Sequence, residues 1–253
     1  MKVLAVVSSL RKKNTYNAVK KIEEAHKKHN ANCEYEYLFI KDLDFKQCRG
    51  CFVCISHGED KCPLKDDRDL IVEKIESSDC IIFAGPNSSM NVNWLTKNLI
   101  DRFSYNLHRP MYFNKRFILL ITSGAYIGAK HALRSLSVLP SGGKVVGKFI
   151  IHTAPEMAAK KIEKQDKKIR KQAQKIFKNL DKEYNHDTPP FSFLFWFASF
   201  KASIEVTKKT LPADYDFYKD KEYFIETRLS WAQKSIIKSF TRFFEFMLKK
   251  GIM

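Results

Sequence analysis

Apolar residues follow two rhythms along this chain. Residues 2–8 read as a buried strand, 80–84 is a continuous apolar run of the kind expected of a strand covered on both faces, 117–122 and 145–152 read as strands, and Glu34 to Ile40 alternates like a strand. Between the runs, apolar residues three and four apart predict helices. Asn14 to Lys28 aligns Ala18, Val19, Ile22 and Ala25, and Asp67 to Ser77 aligns Leu70, Ile71 and Ile75. Leu95 to Phe103 and Gly128 to Leu136 read the same way, and Pro155 precedes a long helix in which Ile162, Ile169, Ala173, Ile176 and Leu180 share a side. Five strands alternating with helices predict an α/β fold, an open, doubly wound five-stranded parallel sheet. Ligands of such sheets bind beyond the carboxyl ends of the strands, near the switch in strand order. The loops at 8–15, 85–92 and 122–128 are therefore the ones expected to carry function.

Pro189-Pro190 changes the pattern and predicts a division into a sheet domain at 1–185 and a C-terminal helical extension at 190–253. The extension opens on the aromatic stretch Phe191 to Phe197 and passes through a Tyr- and Asp-rich segment. It ends on a helix aligning Ile225, Leu229, Ala232, Ile236, Phe240, Phe243 and Met247 opposite Arg228, Lys234, Lys238 and Arg242. Docking on the sheet domain, on a second subunit, or on a membrane surface as a basic amphipathic helix all fit that pattern.

Composition narrows the classes. A hydrophobic content of 44% is globular, and no apolar run is long enough to span a bilayer as a helix. The chain starts on a strand and lacks signal-peptide organisation, so a cytoplasmic, reducing compartment is expected. Net charge is +17, with ten basic residues between Lys160 and Lys182 that read as a solvated helix face. With no nucleic-acid-binding motif in the chain, nucleic acid is a minor option as partner.

Four of the six cysteines lie within fifteen residues, at Cys48, Cys51, Cys54 and Cys62, followed by Asp66-Asp67. Soft thiolates at this density suit an iron–sulfur cluster, redox-active thiols or zinc, whereas Cys33 and Cys80 sit in apolar strand contexts as small buried residues. Ser8 to Thr15 joins a strand to a helix, and its hydroxyls and backbone N–H groups suit a phosphate; a plain helix cap at Asn14 or Thr15 explains it equally well. Asp66-Asp67 reads as an acid/base pair or, with Asp67 before Arg68 to Ser77, as a helix cap; Asp101 and Arg102 are expected to form a structural ion pair or support the loop, and His108-Arg109 to anchor a loop or face a cofactor. No GxGxxG, GK[ST] or hydrolase signature is present.

Together these motifs resemble the flavodoxin-like NAD(P)H-dependent FMN reductase family, in particular its iron-sulfur flavoprotein branch. The family's G-S-P-R-x-x-G-N-T loop is matched by Ser8-Ser9-Leu10-Arg11-Lys12-Lys13-Asn14-Thr15. Its C-x2-C-x2-C block with a fourth Cys and an Asp-Asp pair is matched by Cys48, Cys51, Cys54, Cys62 and Asp66-Asp67. Its proline loop and K-x-x-I-D-R helix are matched by Pro86 and by Lys97 to Arg102. The resemblance covers about residues 1–180. It implies that Ser9, Arg11, Asn14 and Thr15 hold the FMN phosphate, that Pro86, Asn87, Ser88, Ser89 and Asn91 line the ring system, and that Thr122, Ser123, Gly124 and Ala125 close its other edge. It implies NAD(P)H as co-substrate, a small-molecule or protein electron acceptor, a homo-oligomer, and a [4Fe–4S] cluster on the four cysteines, although flavin-only relatives keep similar cysteines. No side chain is required as a catalytic acid or base. The chain departs from the family at Ser8 and Leu10, at Ser88 where an aromatic residue is usual, and at Ala125-Tyr126-Ile127 in a turn that is commonly glycine-rich. The departures at Ser88 and Ala125-Tyr126-Ile127, together with the basic C-terminal helix, motivate the alternative function, a flavodoxin-like scaffold that has lost its flavin and binds a partner or membrane surface through that helix.

Overall fold

The structure is a computed structural model that describes residues 1–180 and 189–252. The predicted boundary at 185, and the last two residues of the basic run ending at Lys182, lie outside the described residues. In chain order the elements are β1 (Lys2–Val7), α1 (Asn14–Lys27), β2 (Glu34–Phe39), α2 (Val53–Ser56), α3 (Arg68–Glu76), β3 (Cys80–Ser88), β4 (Asn91–Val92), α4 (Trp94–Arg102), α5 (Tyr105–His108), β5 (Arg116–Ser123), α6 (Ala129–Leu136), β6 (Lys144–His152), α7 (Ala159–Leu180), α8 (Phe191–Thr207), α9 (Pro212–Tyr218) and α10 (Trp231–Lys249).

Two compact units divide the chain. The first comprises Met1–Arg49, Leu64–Phe103 and Asn114–Tyr184, and the second Gly50–Pro63, Ser104–Phe113 and Asn185–Met253.

The first unit is the doubly wound sheet. Its parallel strands run in the order β2-β1-β3-β5-β6, with β4 pairing antiparallel to the end of β3. The chain steps outward from β1 to β2, then returns past β1 to β3 and continues the other way. The switch in strand order therefore falls between β1 and β3, and ligands of such sheets bind beyond the carboxyl ends of those strands. Helices α1 and α7 lie on one face of the sheet. The apolar core of that face confirms it. Val3, Ala5, Val7, Ile82, Ala84, Ile118 and Leu120 pack with Val19 and Ile22 of α1 and with Ile169, Ala173 and Phe177 of α7. The His26 ring stacks flat on Phe177, centroids 3.7 Å apart, where the two helices meet. Each buried aliphatic side chain contributes about 1.5–3 kcal/mol by leaving water. On β6, Gln165 of α7 accepts from His152 N–H and donates to its carbonyl, both at 2.9 Å, and Gln172 donates to Lys148 O at 3.0 Å.

Strand β3 runs four residues beyond the predicted 80–84. Pro86 pairs opposite Thr122 of β5, and Asn87 and Ser88 pair with β4. Proline is tolerated there because the parallel ladder is ending. A short hairpin thus stands where the sequence predicts an open loop, with Ser89 and Met90 at its tip at φ 47° and 68°.

The second unit is built on aromatic rings. Phe197, Tyr218 and Phe224 are almost fully buried, and Phe224 meets Phe113, Trp196 and Phe197 within 6 Å. The last helix begins at Trp231, leaving Ile225 and Leu229 before it. Ser230 Oγ accepts from Gln233 N–H at 3.3 Å and Gln233 Oε1 from Ser230 N–H at 2.8 Å, a capping box that sets the start.

Candidate functional site

The loops that follow β1, β3 and β5 all belong to the first unit, and side-chain bonds tie them together. Thr15 of α1 and Thr122 at the end of β5 are buried and share a hydrogen bond at 2.8 Å. Ser8 Oγ donates to Ala84 O at 3.1 Å and lies 2.5 Å from Thr96 Oγ1. Asn93 caps α4 by accepting from Thr96 N–H at 3.1 Å, while its amide donates to Ser8 O at 2.8 Å. Asn87 donates to Ser123 Oγ at 2.8 Å and to Ile127 O at 3.0 Å, and Ser123 Oγ in turn bonds Ala125 O. Gly128, at φ 83°, passes so close to the hairpin that a Cβ there would stand 2.2 Å from Met90 Cα. Only glycine suits that position.

On this frame the sequence-predicted residues sort into two sets. Ser9, Thr15, Thr122 and Ser123 are buried. Ser9 Oγ donates to Arg11 O at 3.0 Å and braces the loop from within. Arg11, Asn14, Ser88, Ser89, Asn91, Gly124 and Ala125 are exposed, and Pro86 and Asn87 are half-buried. The capping explanation for Asn14 and Thr15 is not realised. Lys13 stands at the N-cap with no side-chain bond to the helix, and the first turn carries no acidic residue. The opening N–H groups of α1 thus have no side-chain cap and follow the cations of Arg11, Lys12 and Lys13 in the chain, a combination that attracts an anion.

Two further observations bear on what the site can hold. Asn87 Oδ1 is buried and has no hydrogen-bond partner within the chain, an acceptor waiting for a donor. Around the loops Leu10, Met90, Trp94, Tyr126 and Ile127 are each more than half exposed, too much apolar surface to leave wet without a use. An anion cradle, an orphan acceptor and an apolar rim fit a planar ring system carrying a phosphate, which is the chemistry of FMN. Sequence reasoning missed Asn93, Thr96 and the Gly128–Met90 contact. Asn93 two positions before the predicted helix is the signal that was available.

The cysteines are divided. Cys48 is in the first unit, where its N–H donates to Asn98 Oδ1 of α4 at 2.8 Å. The chain before it is gripped by a buried ion pair. Arg102 donates to Asp66 Oδ1 at 2.8 Å and to Lys46 O at 2.8 Å, and Asp66 accepts from the N–H groups of Lys46 at 2.9 Å and Arg68 at 3.2 Å. Burial pushes the Asp66 carboxyl pKa upward, yet Arg102 and the two N–H groups outweigh it and hold the carboxyl below its usual range. Arg102 thus pairs with Asp66 and Asp101 bonds Lys97, so of the two expectations the Asp101–Arg102 pair is not formed, while Arg102 supports the loop before Cys48. Asp67 stands at the start of α3 without capping it and instead accepts from Asp44 N–H at 2.8 Å.

Cys51, Cys54 and Cys62 belong to the second unit. There Arg109 donates to Cys54 O at 2.6 Å and Ile55 O at 2.9 Å and pairs with Asp214, which also meets His108 Nδ1 at 2.7 Å. His108 and Arg109 are therefore anchors of the cysteine loop. Cys51 is exposed, Cys54 half-buried and Cys62 buried. Among the described residues, no three His, Cys, Asp or Glu side chains stand close enough together to hold a metal ion. The donor types suit a cluster.

Comparison with known proteins gives this geometry a context. Residues 1–156 match the model of the family described as NADPH-dependent FMN reductase. An iron-sulfur flavoprotein of Archaeoglobus fulgidus is 35% identical over 158 residues, 60% of this chain and 74% of that one. A second from the same organism is 35% identical over 111 residues, 44% of this chain and 49% of that one. Among solved structures, a flavone reductase superposes with a TM-score of 0.55 at 15% identity over 74% of this chain and 67% of the other. The NAD(P)H:quinone oxidoreductase from Methanothermobacter marburgensis does so with a TM-score of 0.54 at 15% identity over 73% and 99%. At that identity the structural likeness shows the flavodoxin-like fold alone.

Proposed function

The chain belongs to the NADPH-dependent FMN reductase family, and from that membership we propose a flavin oxidoreductase that holds FMN on the β1, β3 and β5 loops and draws on a reduced nicotinamide nucleotide. The observation that carries the proposal is the uncapped start of α1 with Arg11, Lys12 and Lys13 beside it, at the switch point of the sheet. There Ser9, Arg11, Asn14 and the first-turn N–H groups would take the phosphate. Asn87 Oδ1 would accept from the ring edge, with Pro86, Ser88, Ser89 and Asn91 along one side and Gly124 and Ala125 along the other. Thr15, Thr122 and Ser123 would act from beneath, through the bonds that fix the loops. Bound FMN would supply the hydride and electron chemistry. The protein's part is to place the ring, keep water from it with the apolar rim and set its potential through fixed dipoles.

The finer parts of the reading are a [4Fe–4S] cluster on Cys48, Cys51, Cys54 and Cys62, a small-molecule or protein acceptor, and assembly as a homo-oligomer. The names of the Archaeoglobus relatives and the soft donor set support the cluster; no step is drawn through it. The flavin-less scaffold is the less favoured reading, because the family match spans all three loops.

FMN titration of the full chain under anaerobic conditions tests the proposal. Tight binding, bleaching of the flavin by NADPH, and affinity about tenfold or more weaker in Arg11→Ala are expected. Failure to bind FMN after reconstitution would refute it, and iron with sulfide analysis of the same preparation decides the cluster.

A further inference from the structure

Helices α8 and α10 of the second unit carry a surface that the flavin reading does not use. Phe240 and Phe244 of α10 meet the rings of Phe191 and Phe195 on α8 at 5.1–5.7 Å, which locks the two helices together. Yet Phe191 and Phe195, one turn apart, remain 59% and 41% exposed, and Phe243 and Phe246 remain 52% and 56% exposed. Four phenylalanines standing open on one helix pair form a patch that ordinary surfaces avoid.

The same helix supplies a ridge of charge. Lys238, Arg242 and Lys249 follow at steps of four and seven residues, which puts them on one exposed side. No carboxylate pairs with any of the three among the described residues, whereas Lys234 is held by Glu222 at 2.7 Å. Lys238 and Arg242 also rim a cavity of about 390 Å³ with an apolar floor.

We propose that this face docks on a membrane surface bearing anionic lipids, with the phenylalanines at the acyl boundary and the ridge against the headgroups. The charge distribution selects this occupant. A second copy would oppose the cationic ridge to itself, with Glu245 the one acid among those cations on the helix face. An anionic lipid surface accepts rings and cations together. Among the described residues no helix is long and apolar enough to cross a membrane, so the contact is peripheral.

Co-sedimentation of the full chain with phosphatidylcholine vesicles, with and without phosphatidylglycerol, tests this. Partition into the anionic vesicles alone is expected, weakening as salt is added. Trp231, 85% exposed at the start of α10, should report it by a blue shift in emission that Trp231→Phe diminishes. Lys238→Gln and Arg242→Gln should each weaken binding about fivefold, and Phe246→Ser about tenfold or more. These side chains are exposed, so thermal melts should remain unchanged and show the variants folded. No partition at low salt would overturn the proposal, as would equal partition into both vesicles. A dimer that Phe243→Ser and Phe246→Ser dissolve, without vesicle binding, would assign the face to a second copy instead.

Discussion

Replacing Asp66 with Asn tests whether one ion pair secures the segment that leads to the first cysteine. The Asp66 and Arg102 side chains are 0% and 1% exposed. Asn keeps the shape and removes the charge, so the guanidinium remains buried with its counter-ion gone, and one amide N–H must face a donor. Breaking such a pair from one side costs about 3–5 kcal/mol. For a chain of this size that is a fall in Tm of about 6–20 °C. The pH dependence has a definite sign. Because the folded pKa is held below its ordinary value, the carboxylate stabilises the fold above about pH 4, and that contribution is lost as the pH falls through the folded value. The gap between wild type and Asp66→Asn in thermal melts should therefore be widest at neutral pH and close in acid. Asp66→Asn combined with Arg102→Met should lose less than the single variant, since no charge is then stranded. A single-variant shift under about 2 °C, or a gap unchanged in acid, would refute the reasoning.

Other consequences are as direct. Glu23 is buried, and although burial pushes its pKa up, hydrogen bonds from Lys27, Tyr37 and Lys20 bring it to about 2. Its contribution of about 3 kcal/mol should be present above about pH 4.5 and lost toward pH 2, so urea unfolding should show Glu23→Gln costing stability at pH 7 and little in strong acid. Gly128→Ala sets a Cβ 2.2 Å from Met90 Cα at φ 83°; a loss of about 2–4 kcal/mol in urea unfolding is expected, with weaker FMN binding. Thr15→Val strands the buried Thr122 hydroxyl at a cost of about 1–3 kcal/mol, and Thr15→Val with Thr122→Val should cost less than the sum in a double-mutant cycle.

Much of the sheet was legible because strands buried on both faces leave apolar runs that few other elements produce. The runs at 80–84 and 117–122 mark adjacent strands, and the loops at 85–92 and 122–128 follow them. What escaped was decided by tertiary partners. Strand β3 continues through Pro86 and Asn87 only because β5 and β4 are there to pair with it. Asp66 reaches Arg102 across 36 positions, a choice no local spacing discloses, so the pattern favoured the neighbouring Asp101. The start of α10 at Ser230 was readable in principle from Ser230 and Gln233, but the apolar stripe continuing back to Ile225 masked it.

The glutamines of α7 on β6 have a bearing on how copies of this chain can meet. An outermost strand with idle main-chain groups invites a neighbour to extend the sheet. Gln165 occupies the His152 amide and carbonyl, and Gln172 the Lys148 carbonyl, so the helix plugs that border with side chains. At the opposite border β2 carries the exposed Glu34, a charge that repels an identical strand, while Glu36 is taken up by Lys2 and Lys74 at 3.3 and 2.5 Å. Sheet-to-sheet fusion is thereby disfavoured at those positions, which turns contacts between copies toward other surfaces.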